Sequence, residues 1–211
     1  MLITISREFG AGGSSVAHAV AERLGWRLVD NQLVDEIARR AGLTAAQVEE
    51  RVERGPTFVE RLARAFAAAT PEFLTSPTAQ PPEAEEERLQ RITEQVVAEA
   101  AGNHAVLVGR AAVAVIGQRE GALHVKLVGS LAYRTQVIAD RLGVSLDEAA
   151  RQIRDVDAHR AEYHRRWYQR DWNDARNYHM VINAGWLGLE RATDVIVNTV
   201  AREATQQNRA T

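Results

Sequence analysis

Apolar positions along the chain follow two rhythms. Five short runs dense in Leu, Val and Ile stand out: LITIS at 2–6, RLVD at 27–30, AVLVG at 105–109, LHVKLV at 123–128 and HMVIN at 179–183. They predict buried strands. Elsewhere apolar residues recur at helical spacing, as in Val16, Ala17, Val20, Ala21 and Leu24, which gives a helix one buried face. Helical segments separate or follow the strands, so the pattern predicts an α/β fold around a parallel sheet. Helix starts are marked by the capping-box pairs Thr44 with Gln47, Thr57 with Glu60, and Ser145 with Glu148. Gly25, Gly42, Gly102 and Gly143 fall where helices should stop.

The gaps between strands are uneven. About seventy mostly helical residues separate the second strand from the third, broken by TPEFLTSPTAQPP at 70–82, a surface loop or connector by composition. A long arginine-rich helix from about Ser145 to Tyr168 follows the fourth strand, and the polar loop RDWNDARNY leads to the fifth. The expectation is one domain over 1–211, a sheet core carrying two excursions at 31–104 and 145–178. Residues 70–82 and 165–178 have little apolar area to bury and should be the least ordered without ligand. In the second excursion Trp167, Tyr168 and Trp172 are expected to pack the segment.

Composition narrows the function classes. With 211 residues and 45% hydrophobic content, the chain can build one well-packed core. It has no apolar stretch near the roughly 18 residues a membrane span needs, and no basic-then-apolar leader. Zero cysteines exclude disulfides, thiol nucleophiles and cysteine-ligated zinc. The six histidines show no metal-ligand spacing. A cytoplasmic protein is expected. The net charge of −2 argues against nucleic acid as a partner, no membrane partner is expected, and a homo-oligomer stays open. All but one of the 26 basic residues are arginines, Lys126 being the exception. Arginine is therefore the expected stand-in wherever a cation is needed, and Lys126 is expected to face a helix layer or solvent.

Three stretches carry chemistry. After the first strand comes Gly10-Ala11-Gly12-Gly13, then a helix opening at Ser14 and Ser15. Strand, glycine loop and helix is the layout in which backbone N–H groups cradle a phosphate. The usual G-x-x-x-x-G-K-[ST] signature has a lysine where Gly13 stands. Arg7, leaving the strand into the loop, is the candidate replacement. Ser14 and Ser15 can offer hydroxyls to the anion, and Ser14 to Mg2+; tight turning and helix capping are the structural alternatives for these residues. Arg110 follows Gly109 at the end of the third strand, where a guanidinium can fork onto a phosphate. Arg154, Asp157 and Arg160 step by three along one helical face, a spacing that suits holding phosphates in transfer and equally suits intrahelical ion pairs.

Taken together, ITISREFGAGG, LVDNQLV, VLVGRAA, LHVKLVGSLAYR, the D-x-x-R at Asp157–Arg160 and DWNDARNYHMVINAGWLGLERA resemble the cytidylate kinase-like family of P-loop nucleoside monophosphate kinases. The likeness runs from about Leu2 to Val200 and is thinnest over 44–100. It implies the P-loop kinase fold: a five-stranded parallel sheet in order 2-3-1-4-5 flanked by helices, with a monophosphate-binding excursion and a lid. It also implies transfer of a phosphoryl group from ATP, with Mg2+, to a pyrimidine nucleoside monophosphate such as CMP or dCMP. Carried over by position, Gly10, Ala11, Gly12, Gly13, Ser14 and Ser15 form the phosphate loop. Asp30 and Arg110 meet the acceptor, and Asp157 and Arg160 fall on the lid motif; Arg7, from its place at the loop, and Arg154, from its helical spacing, join them as residues expected to act on the transfer. Well-studied cytidylate kinases have the loop lysine and an aspartate after the Gly-Arg pair; here Gly13 and Ala111 stand in those places. Two other readings stay open: a nucleotide-binding module without transfer, and a kinase for another small acceptor.

Overall fold

A computed structural model describes residues 1–49, 85–102 and 104–210. Thr57, Glu60 and the proline-rich stretch 70–82 lie outside the described residues. The strands are β1 (Leu2–Arg7), β2 (Arg27–Val29), β3 (Ala105–Val108), β4 (Ala122–Val128) and β5 (Met180–Asn183). All pairings are parallel and the order is β2-β3-β1-β4-β5, as the resemblance implied. The helices are α1 (Gly13–Leu24), α2 (Asn31–Ala41), α3 (Ala45–Glu49), α4 (Glu85–Ala100), α5 (Ala112–Ile116), α6 (Leu131–Leu142), α7 (Leu146–Tyr168), α8 (Ala184–Leu187) and α9 (Leu189–Ala210).

Local chemistry sets most of these ends. Gly25, Gly42 and Gly143 each close a helix in the left-handed conformation that glycine adopts without a Cβ penalty. Thr44 and Gln47 bond reciprocally, at 3.2 and 2.9 Å. Ser145 accepts from the Glu148 amide, but the Glu148 carboxylate turns to Arg151 and Gln152 instead, so only half of that expected box forms.

Successive strand residues point to opposite faces, and the two faces differ. Ile3, Ile5, Val106, Val108, Val125 and Leu127 pack against α1 and α9 in one apolar cluster. On the other face, β2 and β3 present Val29, Ala105 and Leu107 to apolar residues of α2 and α4. The β1–β4 half of that second face is polar: Thr4, Ser6, His124 and Lys126 are all buried there. The outer strands are less enclosed than their apolar runs suggested, since each has a single neighbour; Val181 on β5 is 45% exposed.

Candidate functional site

β1 ends at Arg7 and the chain turns through Glu8–Gly12 into α1. Gly10 and Gly12 have φ of +85° and +77°, a region that disfavours any Cβ. Space is also missing: a Cβ on Gly10 would lie 3.0 Å from the Arg134 carbonyl and the Ile138 Cγ1, and one on Gly12 would overlap Leu189. Three loop amides are spent inside the protein, Glu8 on the Leu127 carbonyl, Phe9 on the Asp157 carboxylate and Ala11 on the Glu8 carbonyl. The first turn of α1 has no side-chain cap, and Ser14 and Ser15 are exposed there. First-turn N–H groups without an intrahelical acceptor, with the positive end of the helix dipole, suit an anion.

Arg7 shares the face of Ile3 and Ile5, so its side chain runs toward the start of α1. A Cβ added to Gly13 would fall 2.6 to 2.8 Å from Arg7 Cβ, Cδ and Cγ, and one on Gly109 would overlap Arg7 Nη1. The arginine therefore crosses the loop from β1 to the end of β3. There Gly109, Arg110 and Ala111 are left-handed in succession, with φ of +69°, +52° and +51°. Two consecutive non-glycine residues in that region cost on the order of 1–2 kcal/mol each, strain that tends to persist where a side chain must be aimed. Arg110 lines the cleft beside this turn.

Opposite the loop lies α7. Its Asp157 carboxylate accepts from the Phe9 amide at 2.9 Å and from Arg134 Nη1 at 2.6 Å. Arg134, on α6 and only 7% exposed, also donates to the Gly129 and Phe9 carbonyls and pairs with Glu8 at 3.3 Å. Asp157 thus ties α7 to the loop. Arg160 donates to the Arg7 carbonyl at 2.9 Å. Arg134 and Glu8 lie in the quoted runs LHVKLVGSLAYR and ITISREFGAGG, but no role was anticipated for them, because their pairing forms only on folding.

The 169–178 segment is docked on the polar half of the sheet. Trp172 is 3% exposed; its Nε1 donates to Ser6 Oγ at 2.9 Å, and its carbonyl accepts from Tyr178 and from Lys126 Nζ, both at 2.8 Å. Lys126 also donates to Asn173 Oδ1 and sits 3.9 Å from the Trp172 ring centroid. Of its two expected surroundings, solvent is corrected: Lys126 is 2% exposed, and it faces with Ser6, its register partner, into this segment beside α7. Burial lowers the Lys126 ammonium to about 8. Burial, with Lys126, Arg170 and Arg160 nearby, lowers His164 to about 4. His124, also lowered by burial, is locked by two bonds of 2.7 Å: Nε2–H donates to the Gly117 carbonyl, leaving Nδ1 to accept from Thr4.

Between these parts opens a cleft of about 520 Å3 including its mouth, lined by Ser6, Arg7, Arg110, Arg160, Tyr163, His164 and Trp172 among others. Among the described residues no Asp or Glu lines it. Tyr163, which the sequence reading missed, is pushed up to about 12 by burial. Arg154 is exposed, and neither it nor Asp30, half-buried at the N-cap of α2, is among the lining residues. Among the described residues no group of His, Asp or Glu side chains could by itself hold a metal ion, and no helix is long and apolar enough to cross a membrane.

A parallel 2-3-1-4-5 sheet with a glycine loop between its central strand and α1 is the P-loop kinase fold. The cytidylate kinase-like family matches residues 2–185, and the chain belongs to that family. An uncharacterised protein from Eubacterium ventriosum ATCC 27560 has a similar structure, with a TM-score of 0.68 and 21% identity over 95% of this chain and 98% of that one. A shikimate kinase from Bacteroides thetaiotaomicron gives a TM-score of 0.53 at 15% identity, again over 95% and 98%. In sequence, the chain is also 32% identical over 118 residues to a uronate isomerase of Corynebacterium glutamicum; the match takes in 55% of this chain and 22% of that protein's length.

Proposed function

We propose that the protein transfers the γ-phosphoryl group of ATP to a pyrimidine nucleoside monophosphate, CMP or dCMP. The donor phosphates lie on the Gly10–Ser15 loop and the first turn of α1. Ser14 Oγ would be the chain's ligand to Mg2+, which would supply charge to offset that of the donor phosphates. Arg110 and Arg160 bind the acceptor phosphate and the moving phosphoryl group, and Asp157 keeps α7 against the loop. Asp30 on the acceptor side and Arg154 on α7, neither of them lining the cleft as it stands, are assigned to the nucleotides in this reading.

The observation that carries this reading is a cleft whose described lining holds three arginines and no carboxylate, next to an uncapped helix start. An alcohol acceptor needs a base to take its proton. A phosphate monoester is already ionised near neutral pH and needs only positioning and charge stabilisation. The described lining offers the second kind of help. Gly13, in place of the loop lysine, favours the rival reading of a nucleotide-binding module. Calorimetric titration with ATP and each nucleoside monophosphate, followed by a coupled ADP-release assay, separates them. Turnover with CMP or dCMP supports the proposal. Binding without turnover selects the module, and turnover only with a non-nucleotide acceptor selects a different kinase.

A further inference from the structure

We propose that Arg7 is the phosphate-loop cation of this protein: a guanidinium delivered from the end of β1, which grips the β- and γ-phosphates of the donor nucleotide. Gly13 and Gly109 carry no side chain so that it can pass. The inference rests on the proposed nucleotide site and adds the charge that its loop lacks.

Gly13 needs an explanation that backbone conformation does not provide. It begins α1 as a helical residue, and its φ is not among the positive ones. What forbids a side chain at 13 is Arg7, three of whose carbons occupy the space. In the usual loop the side chain at this position reaches the β- and γ-phosphates. Here the same volume is filled by a residue at the end of β1, the strand that feeds the loop, and its side chain also ends in a cation. The far end of Arg7 meets Gly109, so a second glycine keeps its path open. Its root is fixed as well, since the Arg7 carbonyl is held by Arg160 at 2.9 Å.

Lys126 and Arg134 are placed elsewhere. Lys126, the sole lysine, lies on the other face of the sheet with Trp172 and Asn173. Arg134 is tied to Asp157 and Glu8. A guanidinium can also engage two phosphate oxygens at once, which an ammonium cannot do with the same geometry.

The test is a double-mutant cycle read by calorimetry, with Mg–ATP and with inorganic tripolyphosphate as a probe that has no base. Melting curves of each protein check folding. Arg7→Ala should weaken both probes about ten- to a hundred-fold, as expected for losing a charge-assisted bond. Arg7→Lys, which keeps the charge, should recover part of that loss. Gly109→Ala should weaken both probes by displacing the guanidinium. Its fold is tolerable because Arg110 and Ala111 already occupy the same backbone region. Adding Gly109→Ala to Arg7→Ala should then cost nothing further. If Arg7→Ala binds both probes like the parent, or if the two substitutions weaken binding independently, the inference fails while the functional reading stands. If the parent binds neither probe, both fail.

Discussion

The two faces of the sheet bury their central strands almost equally and do it with opposite chemistry. Toward α1 and α9, Ile3, Ile5, Val125 and Leu127 are at most 1% exposed. Toward α7 and the 169–178 segment, Thr4, His124 and Lys126 are at most 2% exposed and Ser6 is 9% exposed. Apolar contact is non-directional and tolerates small shifts. A buried polar group is costly unless its partner stays in place. Lys126, Ser6 and Tyr178 all converge on Trp172, so the second face holds its cover in one arrangement. The first face stabilises the fold; the second registers a particular segment over the cleft.

The sharpest way to break the comparison is to damage the apolar face. Leu127→Ala should cost about 2–5 kcal/mol of unfolding free energy in urea, through lost transfer energy and the residual cavity. ATP affinity of the remaining folded protein should match the parent. A loss well under 1 kcal/mol would mean that this face is not close-packed.

Acid should act on the other face. His164, 7% exposed, titrates at about 4 when folded against 6.5 in an unfolded chain. The unfolded state therefore takes up the proton first. The stability from neutral His164 is fully present above pH 6.5 and is lost as pH falls through 4, a swing on the order of 3 kcal/mol. His164→Phe should flatten the stability profile between pH 4 and 6.5; an unchanged slope would put the acid sensitivity elsewhere. Lys126, at about 8 when folded against 10.5, has the same sign, so its contribution rises from pH 8 to 10.5. Tyr163 and Tyr178, raised to about 12 by burial, reverse the slope above about pH 10.

Asp157→Asn is a smaller cut at the same junction. It leaves Arg134, side chain 9% exposed, without its 2.6 Å partner. Full breakage of a buried pair costs about 3–5 kcal/mol. With Asn still able to accept and Glu8 nearby, about 2 kcal/mol is expected. Hydrogen exchange at the Phe9 amide, which Asp157 holds, should quicken. Unaltered exchange there would remove Asp157 from its role of tying α7 to the loop.

Much of this was legible in the chain. Strand positions followed from five apolar runs, and Thr44 and Gln47 formed their box because its chemistry is local. The two faces were written in the alternation of Thr4 and Ser6 with Ile3 and Ile5, and of His124 and Lys126 with Leu123, Val125 and Leu127. A description of these runs as buried apolar strands passes over that alternation. Arg134 had no local mark of its role: apart from Gly129, its partners are residues 8, 9 and 157, neighbours only after folding. Gly13 was readable as a departure from a signature, but its cause is the path of Arg7, which no spacing encodes.

Ser6→Ala tests the polar face with the fewest atoms. Ser6 Oγ accepts from Trp172 Nε1 at 2.9 Å and lies 3.4 Å from the Tyr178 hydroxyl. Removing it strands the indole N–H in a site where Trp172 is 3% exposed. The Trp172 carbonyl keeps both its donors, Lys126 and Tyr178, so the segment should stay docked. A single unsatisfied donor then costs about 1 kcal/mol. Stability alone would not separate this from a minor packing defect, so the decisive readout is the cleft that Trp172 lines. Indole fluorescence should change in the folded protein, and acceptor KM should rise about threefold while ATP affinity is kept. Leu127→Ala, costlier in stability, should change neither KM nor ATP affinity. If Ser6→Ala leaves both fluorescence and KM unaltered, the polar face is a second structural core, and the contrast between the faces has no functional content.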